Sequence, residues 1–323
     1  MPYSFTAGAS QTGAELAISI YDQVNSTFMD VKYADLLWRD IIGDDQVKTD
    51  INPGAQNYVQ PIRDQVGAAQ FMGKGASPRN IPSVSVSLGA LTIPMAWSAT
   101  SAAITNEDAR VYEHGNLGSL AQDLGKVQRK ACENLIETSV FFGAAEVGFE
   151  GFLSYTGVTA SNVAATGTGF STLWSAKTGS QIIDDVNAAI KKVMEDTKYI
   201  FNPGTIYLPP AQFFALQVPL VVGGVAVATS ILEWIKKNNA YTAWTGNELT
   251  IKPIRYLAGA GANGTNRMVV MEKSAEYQYL PFPMPFKLGA PVPEALGASF
   301  YAEQKFGSYA VIHKGSMQYF DGI

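Results

Sequence analysis

The sequence predicts an α+β fold that combines one long helix, an extended two-stranded arm and a compact domain. Three observations support this prediction. Apolar residues recur at helical spacing over 117–142, and they alternate strictly with polar residues over 84–88. From residue 178 onward, short helical and extended segments follow one another along the chain. Interleaved elements of this kind are typical of a compact α+β domain.

The composition excludes several classes of protein. The 323 residues include 23 Lys and Arg against 28 Asp and Glu, a net charge of −5, and 47% of the chain is hydrophobic. Such a chain buries a sizeable core, which excludes disorder as its main state. The single cysteine, Cys132, supports neither an intramolecular disulfide nor a cysteine-ligated metal cluster. Nucleic-acid binding as the main activity is disfavoured, because lysine and arginine are not clustered.

Secretion and membrane insertion are not expected. The first twelve residues lack the charged and apolar regions of a signal peptide. The longest apolar stretch, 218–228, is about half the roughly 20 residues of a membrane helix. It is also interrupted by Pro219, Gly223 and Gly224.

The low charge favours a protein whose surface is partly buried in an assembly. Charged residues make up 16% of this chain, whereas soluble domains carry about 25%. Interface cores are depleted in Lys, Glu and Asp and rich in aromatic residues, which reach 11% here. Homo-oligomerisation is therefore favoured over the alternative, a compact monomer with a large core.

The N-terminal part of the chain predicts a helix followed by an extended arm. The helix, over 12–35, opens with the capping pattern Thr-Gly-Ala-Glu. Strands are predicted over 58–63, 84–88 and 92–99, and a proline in the first and third indicates edge positions. The intervening segment 64–82 is too rich in glycine and proline for regular structure. Because a long isolated hairpin is marginally stable in water, we expect the arm to need the surface of a neighbouring subunit.

The remainder predicts the long helix and the compact domain. Asn116 can cap the helix over 117–142 and Gly143 can end it. Its charged residues, Glu133 and Glu137 among them, are expected on the other face from its apolar stripe, which consists of Leu117, Leu120, Leu124, Val127, Ala131 and Leu135. We expect a rigid linker over 281–285, because its three prolines exclude a helix. Further helices are expected over 182–194, after a capping pattern at Thr178, and over 211–217 and 231–237, with strands over 205–208, 249–257, 268–271, 277–280, 299–305, 309–313 and 317–320.

The usual signatures of catalysis are missing. The segment 259–264 has the G-x-G-x-x-G spacing, but a strand is predicted after it, whereas a dinucleotide site requires a helix. Neither His114 nor His313 has a second ligand at metal-binding spacing. The pairs Asp44-Asp45 and Asp184-Asp185 are interpreted as solvated groups in a turn and in a helix first turn. We therefore expect no enzyme activity, no catalytic residues, no cofactor and no metal.

The order of these parts resembles the major capsid proteins of tailed bacteriophages with the Hong Kong 97-like fold, which encapsulin shells share. The resemblance covers nearly the whole chain and rests on the order of the segments, since each motif alone is weak. It implies an N-terminal arm over 1–45, an extended E-loop over 46–98, a peripheral domain with a spine helix over 99–150, an axial domain over 151–285, and strands over 286–323 that return to complete the peripheral domain.

The resemblance implies a structural function. Members of the family form hexamers and pentamers of an icosahedral shell around double-stranded DNA, with a portal and in some cases scaffold or decoration proteins, and each E-loop lies over a neighbouring subunit. We expect a virion protein that assembles in the host cytoplasm without a membrane partner. The expected intersubunit residues of the arm are Tyr58, Ile62, Arg63, Phe71, Lys74, Arg79, Val84 and Val86.

Some members of the family join their subunits by an isopeptide bond between lysine and asparagine. Lys74, between two glycines near the arm tip, would be the lysine. The chain contains no asparagine after Asn266, which leaves Gln304 and Gln318 as remote substitutes for the acceptor. We therefore expect a non-covalent shell in which Lys74 and Arg79 contact carboxylates of an adjacent subunit. Some members of the family also carry an N-terminal scaffolding segment that is cleaved. Because the first helix is predicted close to residue 1 here, we expect a separate scaffold protein or none.

Three alternatives stay open at this point. An encapsulin-like compartment has the same fold but encloses an enzyme. A monomeric enzyme or ligand-binding protein would place its site at the loop 259–264 and run near 34.7 kDa in size-exclusion chromatography. Another virion component, such as a tail-tube or decoration protein, would assemble into a different structure.

Overall fold

The computed structural model describes residues 34–67, 69, 71, 84–114, 120–222 and 225–323. All the elements below lie in the unit Leu36–Ile323. Several expectations from the sequence fall outside the described residues. They are the helix over 12–35, except for its last two residues, the cap at Asn116, and the positions of Lys74 and Arg79.

The described part of the chain contains both helices and strands, in agreement with the α+β prediction. The helices are α1 (Trp38–Ile41), α2 (Asn106–His114), α3 (Leu120–Phe142), α4 (Gly179–Asp196), α5 (Pro210–Ala215), α6 (Ile231–Lys237) and α7 (Ala240–Thr245). The strands are β1 (Val47–Lys48), β2 (Asn57–Gly67), β3 (Val84–Thr105), β4 (Ala160–Asn162), β5 (Thr205–Leu208), β6 (Pro219–Val222), β7 (Val225–Ser230), β8 (Thr250–Pro253), β9 (Arg267–Met271), β10 (Gln278–Pro281), β11 (Met284–Leu288), β12 (Val292–Glu294), β13 (Gly297–Gly307), β14 (Ala310–Val311) and β15 (Met317–Asp321).

The arm is built on β3, a single strand of 22 residues that changes its partner halfway along. Its first half, 84–94, pairs antiparallel with β2, and its second half, 95–105, pairs antiparallel with β13 on the other side. Pro94 lies at the changeover, where its missing N–H interrupts neither ladder. Its carbonyl accepts a hydrogen bond from the backbone N–H of Ser308 at 3.0 Å. The two strands predicted from the sequence are therefore one continuous strand.

The compact domain contains a five-stranded mixed sheet in the order β4-β15-β9-β5-β8. The predicted returning segment 286–323 divides among three sheets. Its strands β12 and β13 join the sheet that contains the arm, β14 pairs with β10, and β15 pairs with β9 and β4 in the compact domain. The segment is therefore not confined to the sheet that contains the arm.

The five-stranded sheet separates two hydrophobic cores. Alternate side chains of each strand point to opposite faces, so neighbouring residues enter different cores. In β9, Val269 belongs to the core that also contains Ile136 and Val140 of α3, whereas Val270 belongs to the core that contains Ile190 of α4. The core on the α3 side of the sheet therefore contains residues of both the long helix and the compact domain.

The long helix buries a different stripe from the one its apolar pattern predicts. Val127 and Leu135 belong to the predicted stripe, yet they are 61% and 44% exposed. The buried stripe contains Gln128, Cys132 and Ile136 instead. Gln128 can be buried because its Nε2 donates to the carbonyl of Phe300 in β13, at 3.0 Å. The stripe that faces β13 therefore includes a hydrogen-bonding polar residue, which the spacing of apolar residues alone does not identify.

Glu137 corrects a second expectation, because the sequence places it on the polar face of α3. The side chain is buried, and its Oε2 accepts hydrogen bonds from the backbone N–H groups of Leu37 and Trp38, at 2.8 and 2.9 Å. Its Oε1 accepts from Nη2 of Arg255 at 2.9 Å. The carboxylate therefore satisfies the free N–H groups at the start of α1 and holds that helix against α3.

The end of α3 follows the prediction at Gly143. This residue has φ +75°, in the left-handed region, and its N–H donates to the carbonyl of Ser139 at 2.9 Å. A Cβ atom here would lie 2.5 Å from the carbonyl oxygen of Phe149. Only glycine fits this reversal of the chain.

The start of α4 confirms the predicted capping box. Oγ1 of Thr178 accepts from the N–H of Gln181 at 3.4 Å, and Oε1 of Gln181 accepts from the N–H of Thr178 at 2.9 Å. Asp185, interpreted as solvated, is buried instead. Its Oδ2 accepts from Nε1 of Trp174 at 3.0 Å and from Nζ of Lys177 at 2.5 Å. Burial raises the pKa of the Asp185 carboxyl, and the hydrogen bonds from Lys177 and Trp174 oppose that rise.

Several smaller elements differ from the predictions. The predicted linker over 281–285 contains the end of β10 and the start of β11, since extended proline-rich backbone also fits an edge strand. The apolar stretch 218–228 forms the hairpin of β6 and β7. The strand expected over 249–257 ends at Pro253 and is followed by a 3₁₀ turn. The helices α1, α2 and α7 were not predicted.

Glu137→Gln tests the contact between α1 and α3. Because hydrogen bonds to a charged group contribute about 1.5–3 kcal/mol each, we expect this variant to lower the free energy of unfolding by about 2–3 kcal/mol in denaturant titrations of the unassembled chain. Glu133→Gln, one turn earlier in α3, is the matched control, because Glu133 pairs with Arg129 at the surface, 3.3 Å away. The control should change stability by less than about 1 kcal/mol. Equal losses in the two variants would contradict this role of Glu137.

Asp185→Asn tests the buried ion pair. It leaves the ammonium group of Lys177, whose side chain is fully buried, without its counter-charge. Breaking a buried pair in this way costs about 3–5 kcal/mol, so the midpoint of chemical denaturation should fall strongly. Glu233→Gln removes the partner of Lys237 from an exposed pair on α6 and should have almost no effect. A midpoint for Asp185→Asn close to that of this control would disprove the expectation.

Candidate assembly interface

The arm is attached to the rest of the chain through its base. Ile93 of β3 packs with Tyr58 of β2 against Tyr279 and Ala310, which belong to β10 and β14. The rings of Tyr58 and Tyr279 meet edge to face with centroids 5.8 Å apart, and Nζ of Lys48 lies 3.9 Å from the centroid of Tyr279. Beyond this base, every described residue of β3 from Val84 to Ala90 is exposed.

One face of the exposed hairpin carries a row of exposed apolar side chains. Residues directly opposite each other in an antiparallel pair lie on the same face, and successive residues alternate between faces. The register Val59↔Thr92 to Gly67↔Val84 therefore places an apolar set on one side. We call this set the arm's apolar face; its apolar members are Val59, Pro61, Val84, Val86, Leu88 and Ala90, and Arg63, Gln65, Gly67 and Thr92 lie on the same side of the hairpin.

The arm's apolar face has no cover within the described part of its own chain. Val84 is 78% exposed, Leu88 76%, Val86 61% and Val59 53%. Ser85, Ser87 and Asp64 lie on the opposite face. An exposed apolar row of this kind, bordered by Arg63 and Gln65 of the paired strand, indicates contact with another molecule.

The outer edge of the arm is also unpaired in the described structure. There, β2 hydrogen-bonds to β3 alone, and no second strand lies along its other side. An exposed strand edge presents free N–H and C=O groups to any chain that lies alongside. The arm therefore offers both an apolar face and a polar edge.

The predicted interface residues fall into three groups. Val84 and Val86 lie on the arm's apolar face, and Arg63 lies there too, opposite Leu88. Tyr58 and Ile62 are half-buried on the other face, with Tyr58 against Tyr279 of its own chain. Phe71 is fully exposed beyond the end of β2, and Lys74 and Arg79 lie outside the described residues.

Four residues of the arm's apolar face, Val59, Pro61, Leu88 and Ala90, were not among the predicted interface residues. Leu88 continues the alternation that begins at Val84, so the pattern alone could have identified it. Val59 joins this face only through the register of β2 on β3, which the alternation within one strand does not reveal.

The two glutamines considered as crosslink acceptors are engaged inside the chain. Gln304 is buried, and its Nε2 donates to the carbonyl of Cys132 at 3.0 Å. Gln318 is also buried, and its Nε2 donates to Oδ2 of Asp196 at 3.0 Å. Neither carboxamide is presented to a neighbouring subunit in this structure.

The glycine-rich loop 259–264 leads into β9, as the sequence predicts, and not into a helix. The backbone N–H of Ala262 donates to Oδ2 of Asp321 at 3.0 Å, so a carboxylate of the same chain occupies the position that a phosphate would need. That carboxylate also binds Nε and Nη2 of Arg267, at 2.7 and 2.8 Å.

The two histidines lie apart from each other. His114 is the last residue of α2 and is exposed, whereas the ring of His313 lies beside Phe201 and Tyr277. Among the described residues, no three His, Cys, Asp or Glu side chains come together as metal ligands. Within the same residues, no helix combines the length and the apolar character that crossing a membrane requires.

Comparisons with known proteins agree with the fold. The family model described as major capsid protein matches residues 67–323. A comparison with curated protein sequences gives no match.

Solved structures with a similar fold include two virus-like capsids and an encapsulin. The capsid of Myoviridae phage XM1 has a TM-score of 0.74 and 14% identity, covering 94% of this chain and 97% of that chain. The capsid of a native GTA particle has a TM-score of 0.59 and 12% identity, covering 97% of each chain. The SrpI encapsulin complex of Synechococcus elongatus PCC 7942 has a TM-score of 0.50 and 10% identity, covering 93% of this chain and 92% of that chain.

These comparisons confirm the Hong Kong 97-like fold that the order of segments predicted. They also indicate a structural, non-enzymatic protein that is a component of a virion capsid. Because the family model covers most of the sequence, this chain belongs to the major capsid protein family.

Proposed function

We propose that this chain is the repeating subunit of an icosahedral shell, in which its hexamers and pentamers enclose double-stranded DNA without covalent crosslinks. The observation that carries the proposal is the arm's apolar face, which is exposed along its whole length in the single chain. Placing this face on a neighbouring subunit removes it from water and supplies the surface that a long hairpin needs.

The energetics favour such a contact. Covering the partly exposed side chains of Val59, Val84, Val86 and Leu88 stabilises the assembled state by about 1–2 kcal/mol each. The contact repeats in every subunit, so a modest gain per arm is multiplied over the shell. Specificity is expected from the register of the arm and from its polar edge rather than from any single residue.

The proposed division of the chain follows the family. We assign the N-terminal arm to 1–45, the E-loop to 46–98, the peripheral domain to 99–150 and the axial domain to 151–285. The segment 286–323 then supplies strands to both the peripheral and the axial parts. The positions of α3 within the third segment and of α4 to α7 within the fourth support this division.

The proposed partners are further copies of the chain, a portal, and in some systems a scaffold or decoration protein, with non-specific contacts to the packaged DNA. We place assembly in the host cytoplasm. In the arm, Tyr58 and Ile62 would support the base, while Arg63, Phe71, Lys74, Arg79, Val84 and Val86 would contact the neighbour.

Leu88→Asp and Ser87→Asp form a matched pair for testing the arm. The two residues are adjacent and exposed on opposite faces of the hairpin. A buried carboxylate in an apolar contact is strongly unfavourable, so Leu88→Asp should abolish particles while Ser87→Asp still forms them. Particle formation is measured by light scattering and electron microscopy. Neither variant should change the melting temperature of the unassembled chain, because both side chains are already in solvent.

Normal particles from Leu88→Asp would contradict the proposed contact. Loss of particles in both variants would show that added charge, and not the face that carries it, prevents assembly.

The proposed absence of crosslinks has its own test. The chain has no asparagine after Asn266, and the carboxamides of Gln304 and Gln318 are engaged internally. Mature particles boiled in detergent should therefore run as one band near 34.7 kDa. A ladder of dimers and higher multiples would refute this part of the proposal and leave the shell itself intact.

The second candidate function is an encapsulin-like compartment that encloses a protein cargo. The similarity to the Synechococcus encapsulin complex favours it, although with a lower TM-score than the phage capsid. The contents of purified particles distinguish the two: nuclease-protected double-stranded DNA supports the capsid, and a stoichiometric second protein supports the compartment.

A further inference from the structure

A loop before α4 presents a phenylalanine ring to solvent in a strained conformation. Phe170 is 88% exposed and has φ +60°, a left-handed conformation that bulky residues rarely adopt. The turn is closed by hydrogen bonds from the N–H of Gly167 to the carbonyl of Ser171, 2.9 Å, and from the N–H of Phe170 to the carbonyl of Gly167, 3.0 Å. Strain of this kind persists only where the surrounding structure imposes it.

The base of this loop is anchored to the N-terminal end of α4. Nζ of Lys177 donates to the carbonyl of Ala164 at 2.6 Å while it pairs with buried Asp185. Nε2 of Gln181 donates to the carbonyl of Thr166 at 2.7 Å. The backbone of the loop that carries Phe170 is therefore held in place before any partner arrives, which reduces the entropy lost on docking.

The loop also lacks charge. No Asp, Glu, Lys or Arg occurs between Glu150 and Lys177. Exposed aromatic residues in uncharged surroundings are typical of the residues that contribute most to protein interfaces, where they enter a pocket on the partner.

A groove that could receive such a ring lies at the opposite end of α4. Its volume is about 390 Å³, and its lining includes Met194, Tyr199, Ala240, Ala243 and Trp244. The rings of Tyr199 and Trp244 stack with centroids 5.4 Å apart and planes at 27°. These rings are 51% and 62% exposed.

Two further features define this groove: a polar rim, and the backbone conformation of one of its walls. Lys191 and Glu195 of α4 provide a polar rim around the apolar lining. Lys198 and Tyr199 both have positive φ, +53° and +63°, so a second strained turn holds the Tyr199 ring against Trp244. The groove is therefore already formed in the single chain.

We propose that Phe170 of one subunit inserts into the groove between α4 and α7 of the next subunit. A chain is not expected to fill its own groove, because the loop is anchored at the N-terminal end of α4, the groove lies toward its C-terminal end, and a helix of 18 residues is about 27 Å long. A projection at one end of a helix and a groove at the other make a head-to-tail contact, which closes into a ring when it repeats around an axis. The proposal rests on the proposed assembly and names one contact within its rings.

The first test links the two sites in assembled particles. Phe170→Cys is combined with Ala243→Cys in the groove, and the particles are treated with a short bismaleimide. The reagent spans the gap left by the shorter side chain. Denaturing gels should show dimers and higher multiples of 34.7 kDa up to the ring number. The native Cys132 is 1% exposed and should not react.

The matched control moves the second cysteine out of the groove. Phe170→Cys with Glu233→Cys, exposed on α6, should remain monomeric on the same gels. Closed particles without linked multiples in the Ala243→Cys variant would overturn the contact while leaving the proposed shell standing. Linkage only to a protein of another mass would overturn it too. Failure of the unmodified chain to form particles would instead overturn the proposed function.

The second test separates docking from folding. Phe170→Gly removes the ring and also relieves the strain, because glycine adopts φ +60° freely, so the unassembled chain should melt at an equal or higher temperature. The concentration needed for assembly should nevertheless rise roughly tenfold or more. Trp244→Ala should have a similar effect on assembly.

Combining Phe170→Gly with Trp244→Ala shows whether the two residues act at one contact. If they meet across subunits, the double variant should be no more defective in assembly than the worse single variant. Independent effects that multiply, or a normal assembly concentration for Phe170→Gly, would overturn the proposal.

Discussion

Along the first half of β3, backbone hydrogen bonds run to β2 on one side only, and the apolar side chains on one face find no cover among the described residues of their own chain. This constraint organises the molecule. The second half of the same strand is paired with β13 and lies against α3, so the uncovered half extends rigidly from a well-packed base. A flexible loop could bury its apolar residues locally, but a two-stranded ribbon continuous with a buried sheet cannot fold back. The arm therefore stays available for another subunit.

Buried charges complete what the sheets and helices leave open. The carboxylates of Glu137, Asp185 and Asp321 are all buried, and each binds backbone or side-chain donors from segments distant in sequence. Each one holds an irregular connection in place: the start of α1, the loop before α4 and the turn before β9. A buried carboxylate is unfavourable unless it is satisfied, so each of these connections tolerates few other arrangements. This is how a chain with few charges maintains long loops in defined positions.

The elements that could be predicted from the sequence are those defined by local chemistry. The capping box at Thr178, the glycine that ends α3 and the alternation from Val84 to Leu88 all depend on neighbours within a few residues. The face of α3 could not be predicted in this way, because Gln128 and Glu137 count as polar in a periodicity but bind backbone groups of Phe300 and Trp38. Strands of two residues, such as β1 and β14, are too short for a pattern of period two. The same holds for the candidate site. The shared face of Val84 and Leu88 follows from the alternation within β3, whereas placing Val59 on that face requires the register of β2 on β3.

The change of partner within β3 also delays the completion of its pairing during synthesis, because its second half must wait for β13. Met95 pairs with Gly307, which follows it by 307 − 95 = 212 residues. At about 5–20 residues per second of synthesis, the second half of β3 leaves the ribosome roughly 10–40 s before its partner strand exists. During that interval an apolar ribbon is exposed in a cell that is making many copies of the same chain. Premature association between nascent chains is thus a hazard of this topology, and chaperones that shield extended apolar segments would help most at this stage.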